Sequence, residues 1–258
     1  MKNLIEMFHH YFEVVSAETL ELLDAAFQLR YQVYCVENDF EDAGRFPDGR
    51  EYDEFDCRSV HTLVRHRNSG HVAGVVRLVL PELENSNEPF PIEEHFPEVF
   101  KCCDNELASV PRNSLAEISR FSVSSEFKRR VAESRTLSGV SENVKYIDIF
   151  QNGYDHRRIL PHITLGLFAG IVRMSAENNI THWLVVMEPS LIRLLERFSI
   201  HFNPIGPIVD FHGKRQPAIA AVDDVLSSMH INRRDVWEII TDNGSIWPLS
   251  ASAIDSVS

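Results

Sequence analysis

Nine residues in the middle of the chain, Ala116 to Ser124 (AEISRFSVS), constrain its architecture more than any other stretch. Apolar and polar residues alternate through them, the period-2 pattern of a strand with one buried face. Glu117 and Arg120 break that pattern with a carboxylate and a guanidinium. A lone charge is costly to bury, so the two must pair or open onto a polar cleft. Three residues apart, they lie on opposite faces of a regular strand. A β-bulge between them turns both toward one place and leaves backbone N–H groups free for a ligand. An internal ion pair that only fixes strand register explains the stretch equally well.

The elements around this strand follow from spacing and punctuation. Residues 16–38 read as a helix capped by Ser16, with Leu20, Leu23, Phe27, Arg30 and Tyr34 on one stripe. Residues 39–56 form an acidic loop broken by Gly44, Pro47 and Gly49, in which Tyr52 and Phe55 are expected to anchor the chain while the acids project. Ser59–Arg65 and His71–Leu80 read as two strands joined by a turn at Asn68-Ser69-Gly70, with Arg77 on the face of Val75 and Val79. IEEHFPEVF reads as one or two helical turns. A polar excursion follows Ser124, and a buried helix runs from about Pro161 to Asn179. WLVVM at Trp183–Met187 is the continuous apolar run of a central strand. A helix from Pro189, strands over Phe202–Phe211 and Pro217–Val222 with a turn at Gly213, and a helix near Arg233–Thr241 complete the chain. This order predicts an α/β (α+β) fold with a mixed central sheet and helices on both faces. The expected domains are 1–222, carrying an insertion at about 125–160, and a C-terminal extension over 223–258.

Composition removes several function classes. A formal net charge of -13 argues against nucleic acid as the main partner. No run reaches the roughly 18 apolar residues that span a bilayer. The start of the chain lacks a small-residue cleavage site, and Cys35, Cys57, Cys102 and Cys103 lack metal spacing. They are expected as reduced thiols in a cytoplasmic protein. None of the twelve histidines has a ligand-like spacing with a third donor, so no metal is assigned. No serine sits in a nucleophile elbow, which leaves covalent catalysis without a candidate.

Arg30, Asp53, Asp56, Arg77, Glu117 and Arg120 each stand where a purely structural design puts apolar groups. One polar pocket accounts for all six, and three cations with three anions suit a small zwitterionic ligand. Four motifs carry these residues in order: LRYQVY at Leu29–Tyr34, EYDEFD at Glu51–Asp56, VVRLV at Val75–Val79 and EISRFSV at Glu117–Val123. Together they resemble the motifs of bacterial acyl-homoserine lactone (autoinducer) synthases, which share the Gcn5-related N-acyltransferase (GNAT) fold. The resemblance spans roughly residues 20–225. It extends to the PEP-CTERM/exosortase system-associated acyltransferases and the N-acyl amino acid synthases.

The resemblance implies a fold, a reaction and a set of roles. Arg30, Tyr34, Phe40, Asp53, Asp56 and Arg77 would shape the acceptor pocket, although Phe40 stands near where the lactone synthases have a tryptophan. Glu117 would act as base, directly or through water, with Arg120 beside it. Backbone N–H groups near Phe121, Ser122 and Val123 would hold the oxyanion. The acyl donor would lie in a splay against the strand of Trp183, Val185 and Met187. No cofactor is implied beyond the donor thioester. The Gly-rich turn that holds a coenzyme A pyrophosphate is absent after Ser124, which favours acyl carrier protein over acyl-CoA. The basic clusters Lys128-Arg129-Arg130, Arg157-Arg158 and Lys214-Arg215 are candidate docking points for an acidic carrier, or plain solvated surface. The implied activity is N-acylation of a small amine or amino acid. The alternatives are a lactone synthase using S-adenosylmethionine and a non-catalytic acyl-carrier-binding module.

Overall fold

A computed structural model describes residues 4–82, 88–101, 107–128 and 159–249. The fold is mixed α/β, built on an eight-stranded sheet in the order β1-β2-β3-β4-β5-β8-β6, with β7 also pairing β8. The strands are β1 (Phe12–Ser16), β2 (Ser59–His66), β3 (Val72–Val79), β4 (Leu115–Val123), β5 (His182–Met187), β6 (Asn203–Pro204), β7 (Val209–Asp210) and β8 (Lys214–Ala221). The helices are α1 (Leu4–Tyr11), α2 (Leu20–Tyr31), α3 (Pro91–His95), α4 (Pro97–Lys101), α5 (Ile159–Glu177), α6 (Pro189–Glu196), α7 (Val222–Asn232) and α8 (Arg234–Thr241). β4 and β5 run parallel, whereas β1–β2, β5–β8, β6–β8 and β7–β8 are antiparallel.

The chain forms two compact units, Met1–Tyr52 with His61–Val76 and Arg120–Gly170, and Asp53–Val60 with Arg77–Ser119 and Ile171–Ser258. In the first unit the cap of α2 stands three residues later than Ser16. Thr19 is the cap, its Oγ1 accepting the Leu22 N–H at 3.3 Å, because Ser16 belongs to β1. Leu20 is correspondingly exposed rather than on the buried stripe. α2 continues directly into a π-helical segment, Gln32–Glu37, which buries Val33, Tyr34 and Cys35. These residues pack with Ala26, Leu29, Phe46, Leu63 and Val75. The β2–β3 turn closes with His66 N–H on His71 O at 2.9 Å, and Gly70 takes a φ of 74°. α5 lies close on β2: a Cβ added at Gly170 would sit 2.2 Å from Thr62 Cγ2, so that helix position has no room for a side chain.

In the second unit Phe55, Val79, Phe90, Ile92, Phe96, Leu115, Leu184 and Ile219 share a core. α6 turns Leu191, Leu194 and Leu195 inward as its spacing predicts. The expected strand over Phe202–Phe211 is instead two short pieces, β6 and β7, on either side of Gly206. A helix not expected from the sequence, α7, precedes α8, and both bury apolar faces. Among the described residues no helix is long and apolar enough to cross a membrane, and no group of three or more His, Cys, Asp or Glu could hold a metal ion. Cys102, Cys103 and most of the expected insertion lie outside the described residues.

His162 in α5 gives this fold an acid-sensitive point. Its ring stacks on Phe12 with centroids 6.4 Å apart. Its Nδ1 is buried with no hydrogen-bond partner among the described residues. Burial lowers its pKa from 6.5 to about 4. Between those values the unfolded chain binds the extra proton and the folded chain does not, so stability falls on acidification. The contribution is intact above 6.5 and declines toward 4. We expect His162→Leu to flatten this slope, measured by urea unfolding at several pH values from about 7 down to about 4.5.

Candidate active site

Five of the six charges singled out in the sequence fall into two networks, one in each unit, and the first has a hub that the sequence reading missed. Glu51 is 1% exposed, and its N–H is tied to Phe27 O at 3.1 Å. Its Oε2 accepts from Arg30 Nε at 2.6 Å, and its Oε1 accepts from Arg120 Nη2 at 2.9 Å. Arg120 Nε lies 3.2 and 3.3 Å from the same two oxygens. Arg30 is wholly buried, with Nη1 3.2 Å from His61 Nε2 and its guanidinium over the Phe27 ring. Burial alone would raise the Glu51 pKa, but the Arg120 and Arg30 charges outweigh it and hold the value down at about 2. The acids of this segment therefore do not simply project. Glu51 is buried, whereas Tyr52, expected as an anchor, is half exposed.

Tyr34 lies beneath Arg120, with 4.9 Å from guanidinium carbon to ring centroid. Burial raises the pKa of its hydroxyl, so the phenol stays neutral. Phe40 N–H donates to Tyr34 O at 2.8 Å, and its ring packs against the same apolar cluster.

The second network centres on Arg77, also wholly buried. Its Nε donates to Ser119 Oγ at 2.9 Å and its Nη1 to Asp56 Oδ1 at 3.0 Å, with Asp53 Oδ1 closer still. Asp53 and Asp56 are held by a reciprocal cap: the Asp53 N–H donates to Asp56 Oδ2 at 2.8 Å, and Asp53 Oδ1 accepts from the Phe55 N–H at 3.0 Å. One guanidinium thus faces two carboxylates. Glu117 is 4% exposed, and its Oε2 accepts the Ile92 N–H of α3 at 2.8 Å.

The strand that joins these residues carries the expected irregularity. Arg120 has a φ of 51°, left-handed backbone inside β4. The parallel ladder between β4 and β5 ends at Ile118–Val185, although β4 continues to Val123 and β5 to Met187. Phe121 is partly buried against Phe168, and Ser122 and Val123 are buried. Trp183 is fully buried and donates from Nε1 to Ser175 Oγ at 2.8 Å, so its ring belongs to the core. Val185 is likewise buried, and Met187 nearly so.

Two of the basic clusters are not the open surface expected of them. Lys128 Nζ is buried 3.4 Å from Glu37 Oε2, and Glu37 Oε1 accepts the Ser125 N–H at 3.3 Å. Arg215 is buried and pairs with Glu188 at 3.4 Å, leaving only Lys214 exposed in that cluster. Lys128 and Arg215 each turn inward because a carboxylate in the same unit is there to meet them. Arg129, Arg130, Arg157 and Arg158 lie outside the described residues.

Residues 29–138 match a family model described as an acetyltransferase (GNAT) domain. No curated protein sequence matches the chain. Among solved structures, the AHL synthase LasI is 18% identical, with 85% of this chain and 95% of that chain covered at a TM-score of 0.56. The CoA-dependent acyl-homoserine lactone synthase BjaI, with MTA, is 18% identical over 95% of this chain and 97% of that chain at a TM-score of 0.56. FeeM, an N-acyl amino acid synthase from uncultured soil microbes, is 11% identical over 86% of this chain and 96% of that chain, at 0.52. Residues 29–138 are therefore similar to a GNAT acetyltransferase domain, and the fold of the chain is the one that these synthases share.

Proposed function

We propose that this protein is an N-acyltransferase that moves a fatty acyl group from the phosphopantetheine thioester of an acyl carrier protein to the amine of a small, amino-acid-like acceptor. The observation that carries the reading is the left-handed Arg120 within β4, immediately after the point where the β4–β5 ladder stops. A strand that is irregular there and no longer paired with β5 offers main-chain N–H groups on that edge to a thioester carbonyl and its oxyanion. Glu117 takes the proton of the acceptor ammonium, directly or through a water. The free amine attacks the carbonyl carbon, and the tetrahedral intermediate collapses with expulsion of the thiolate, which takes up the proton that the attacking nitrogen sheds as it becomes the amide. Asp53 and Asp56, held by Arg77, supply charged groups for a zwitterionic acceptor.

The choice of donor rests on the turn after β4. The Ser125 N–H is taken by Glu37 and the Glu126 N–H faces Ser124 Oγ at 3.4 Å, so internal acceptors occupy the amides that a phosphate would need. A carrier protein presents its thioester without a nucleotide and so avoids this turn.

The purified protein, incubated with fatty-acyl carrier protein or the matching acyl-CoA and a pool of amino acids, amines and S-adenosylmethionine, tests the reading by mass spectrometry. An N-acyl amide formed from the carrier donor is the expected result. An acyl-homoserine lactone would instead support the second reading, which the intact set of six motif charges favours. Carrier retained on the protein without thioester consumption would replace the enzyme with a binding module.

A further inference from the structure

Among the described residues, seven other than glycine have positive φ: Asp39, Asn179, Ser199, His212, Asp242 and Asn243 lie in loops or turns, and Arg120 alone lies inside a strand. Left-handed backbone disfavours a residue with a Cβ by about tenfold in population. Such a conformation persists only when its surroundings hold it. For Arg120 the hold is visible. Glu51 grips the guanidinium through both carboxylate oxygens, and the Tyr34 ring supports it from below. Glu51 is itself immobilised by the Phe27 carbonyl on its N–H and by the buried Arg30 on Oε2. Nothing in this arrangement requires Glu51 to touch a substrate.

We propose that Glu51 is a positioning residue: its buried carboxylate anchors Arg120 in the left-handed conformation and thereby sets where the N–H groups of Phe121–Val123 point. The kinetic consequence rests on the acyl-transfer reading above, whereas the conformational consequence does not. A merely structural ion pair would support the fold whatever backbone conformation position 120 adopted. A positioning role makes the backbone conformation at that position the quantity that matters.

Arg120→Gly and Arg120→Ala separate the two. Both remove the guanidinium and both leave Arg30 and Glu51 as a neutral pair, so both should fold. Glycine adopts positive φ without penalty, and alanine relaxes away from it once the grip is lost. We expect both variants to be slower than the parent, with kcat of Arg120→Gly about tenfold above that of Arg120→Ala at similar KM. Adding Arg120→Gly to Glu51→Gln should raise kcat above that of Glu51→Gln alone, and adding Arg120→Ala should not. Urea midpoints of the two Arg120 variants provide a readout free of any activity, with the glycine variant expected to be the more stable. Equal kcat and equal midpoints for glycine and alanine would overturn the proposal, because the strand would then hold its conformation without Glu51. If the parent protein turns over no donor, the acyl-transfer reading fails and the midpoints decide the anchoring alone. If Glu51→Gln does not fold, the comparison of the two Arg120 variants decides.

Discussion

Replacing Glu51 by alanine is expected to destabilise the protein by about 3–5 kcal/mol, the range for removing one partner of a buried ion pair. The substitution removes the carboxylate that Arg30 and Arg120 share, and Arg30 is the more serious loss because it is fully buried, whereas Arg120 keeps Glu41 Oε1 at 3.8 Å. Against a total stability of about 5–15 kcal/mol for an ordinary domain, such a loss brings unfolding close to ambient conditions. The pH dependence provides a second view of the same interaction. The Glu51 pKa is 4.5 as an ordinary carboxylate and about 2 in the folded protein, a difference worth roughly 3 kcal/mol. Because the folded value is the depressed one, this stability is present above 4.5 and is lost as pH falls toward 2. The window begins where that of His162 ends, so the loss of stability on acidification should continue below about 4 through Glu51. Urea unfolding of Glu51→Ala at neutral pH is the direct check. A loss below about 1 kcal/mol would mean that Arg30 finds water or another partner when Glu51 is gone.

Glu51 also shows where sequence reasoning stops. Arg30 and Arg120 are legible as misplaced charges because they interrupt apolar patterns. Glu51 is not, because it sits in an acidic loop where a carboxylate in solvent is the ordinary expectation. Three arginines and three other acids already balanced in the sequence, which removed any need to look for a fourth anion. The structure redistributes them, giving Glu51 to Arg30 and Arg120 and both aspartates to Arg77. Local elements with strong punctuation were readable: the Asn68–Gly70 turn, the ends of β3 and β5, and the Pro189 start of α6. The failures have local causes. β1 is five residues of ordinary polarity that become a strand only by pairing with β2, so its Ser16 passed for a helix cap. β6 and β7 are two residues each, too short for any period to register. The left-handed Arg120 was inferred as a bulge only because two charges three residues apart needed one face.

Glu117→Gln is expected to lower kcat/KM by about 10²–10⁴, the usual span for loss of a general base. The substitution isolates that role because glutamine keeps an amide oxygen that can accept the Ile92 N–H now held by Oε2 at 2.8 Å. The buried hydrogen bond therefore survives, and the midpoint of unfolding should move by less than about 1 kcal/mol. What glutamine cannot do is take a proton from an ammonium group. Glu117→Asp keeps the charge but retracts it by one methylene, so it should retain more activity than Glu117→Gln. It should also be the less stable of the two, because the shorter side chain pulls away from α3. This opposite ordering of activity and stability distinguishes a base from a bracket: if Glu117 only ties β4 to Ile92, the glutamine variant will be the more active as well as the more stable. In that case the acceptor must arrive as the free amine. The rate would then follow the amine's own ionisation, rising about tenfold per pH unit below its pKa, and a pH–rate profile of Glu117→Gln beside the parent would show it.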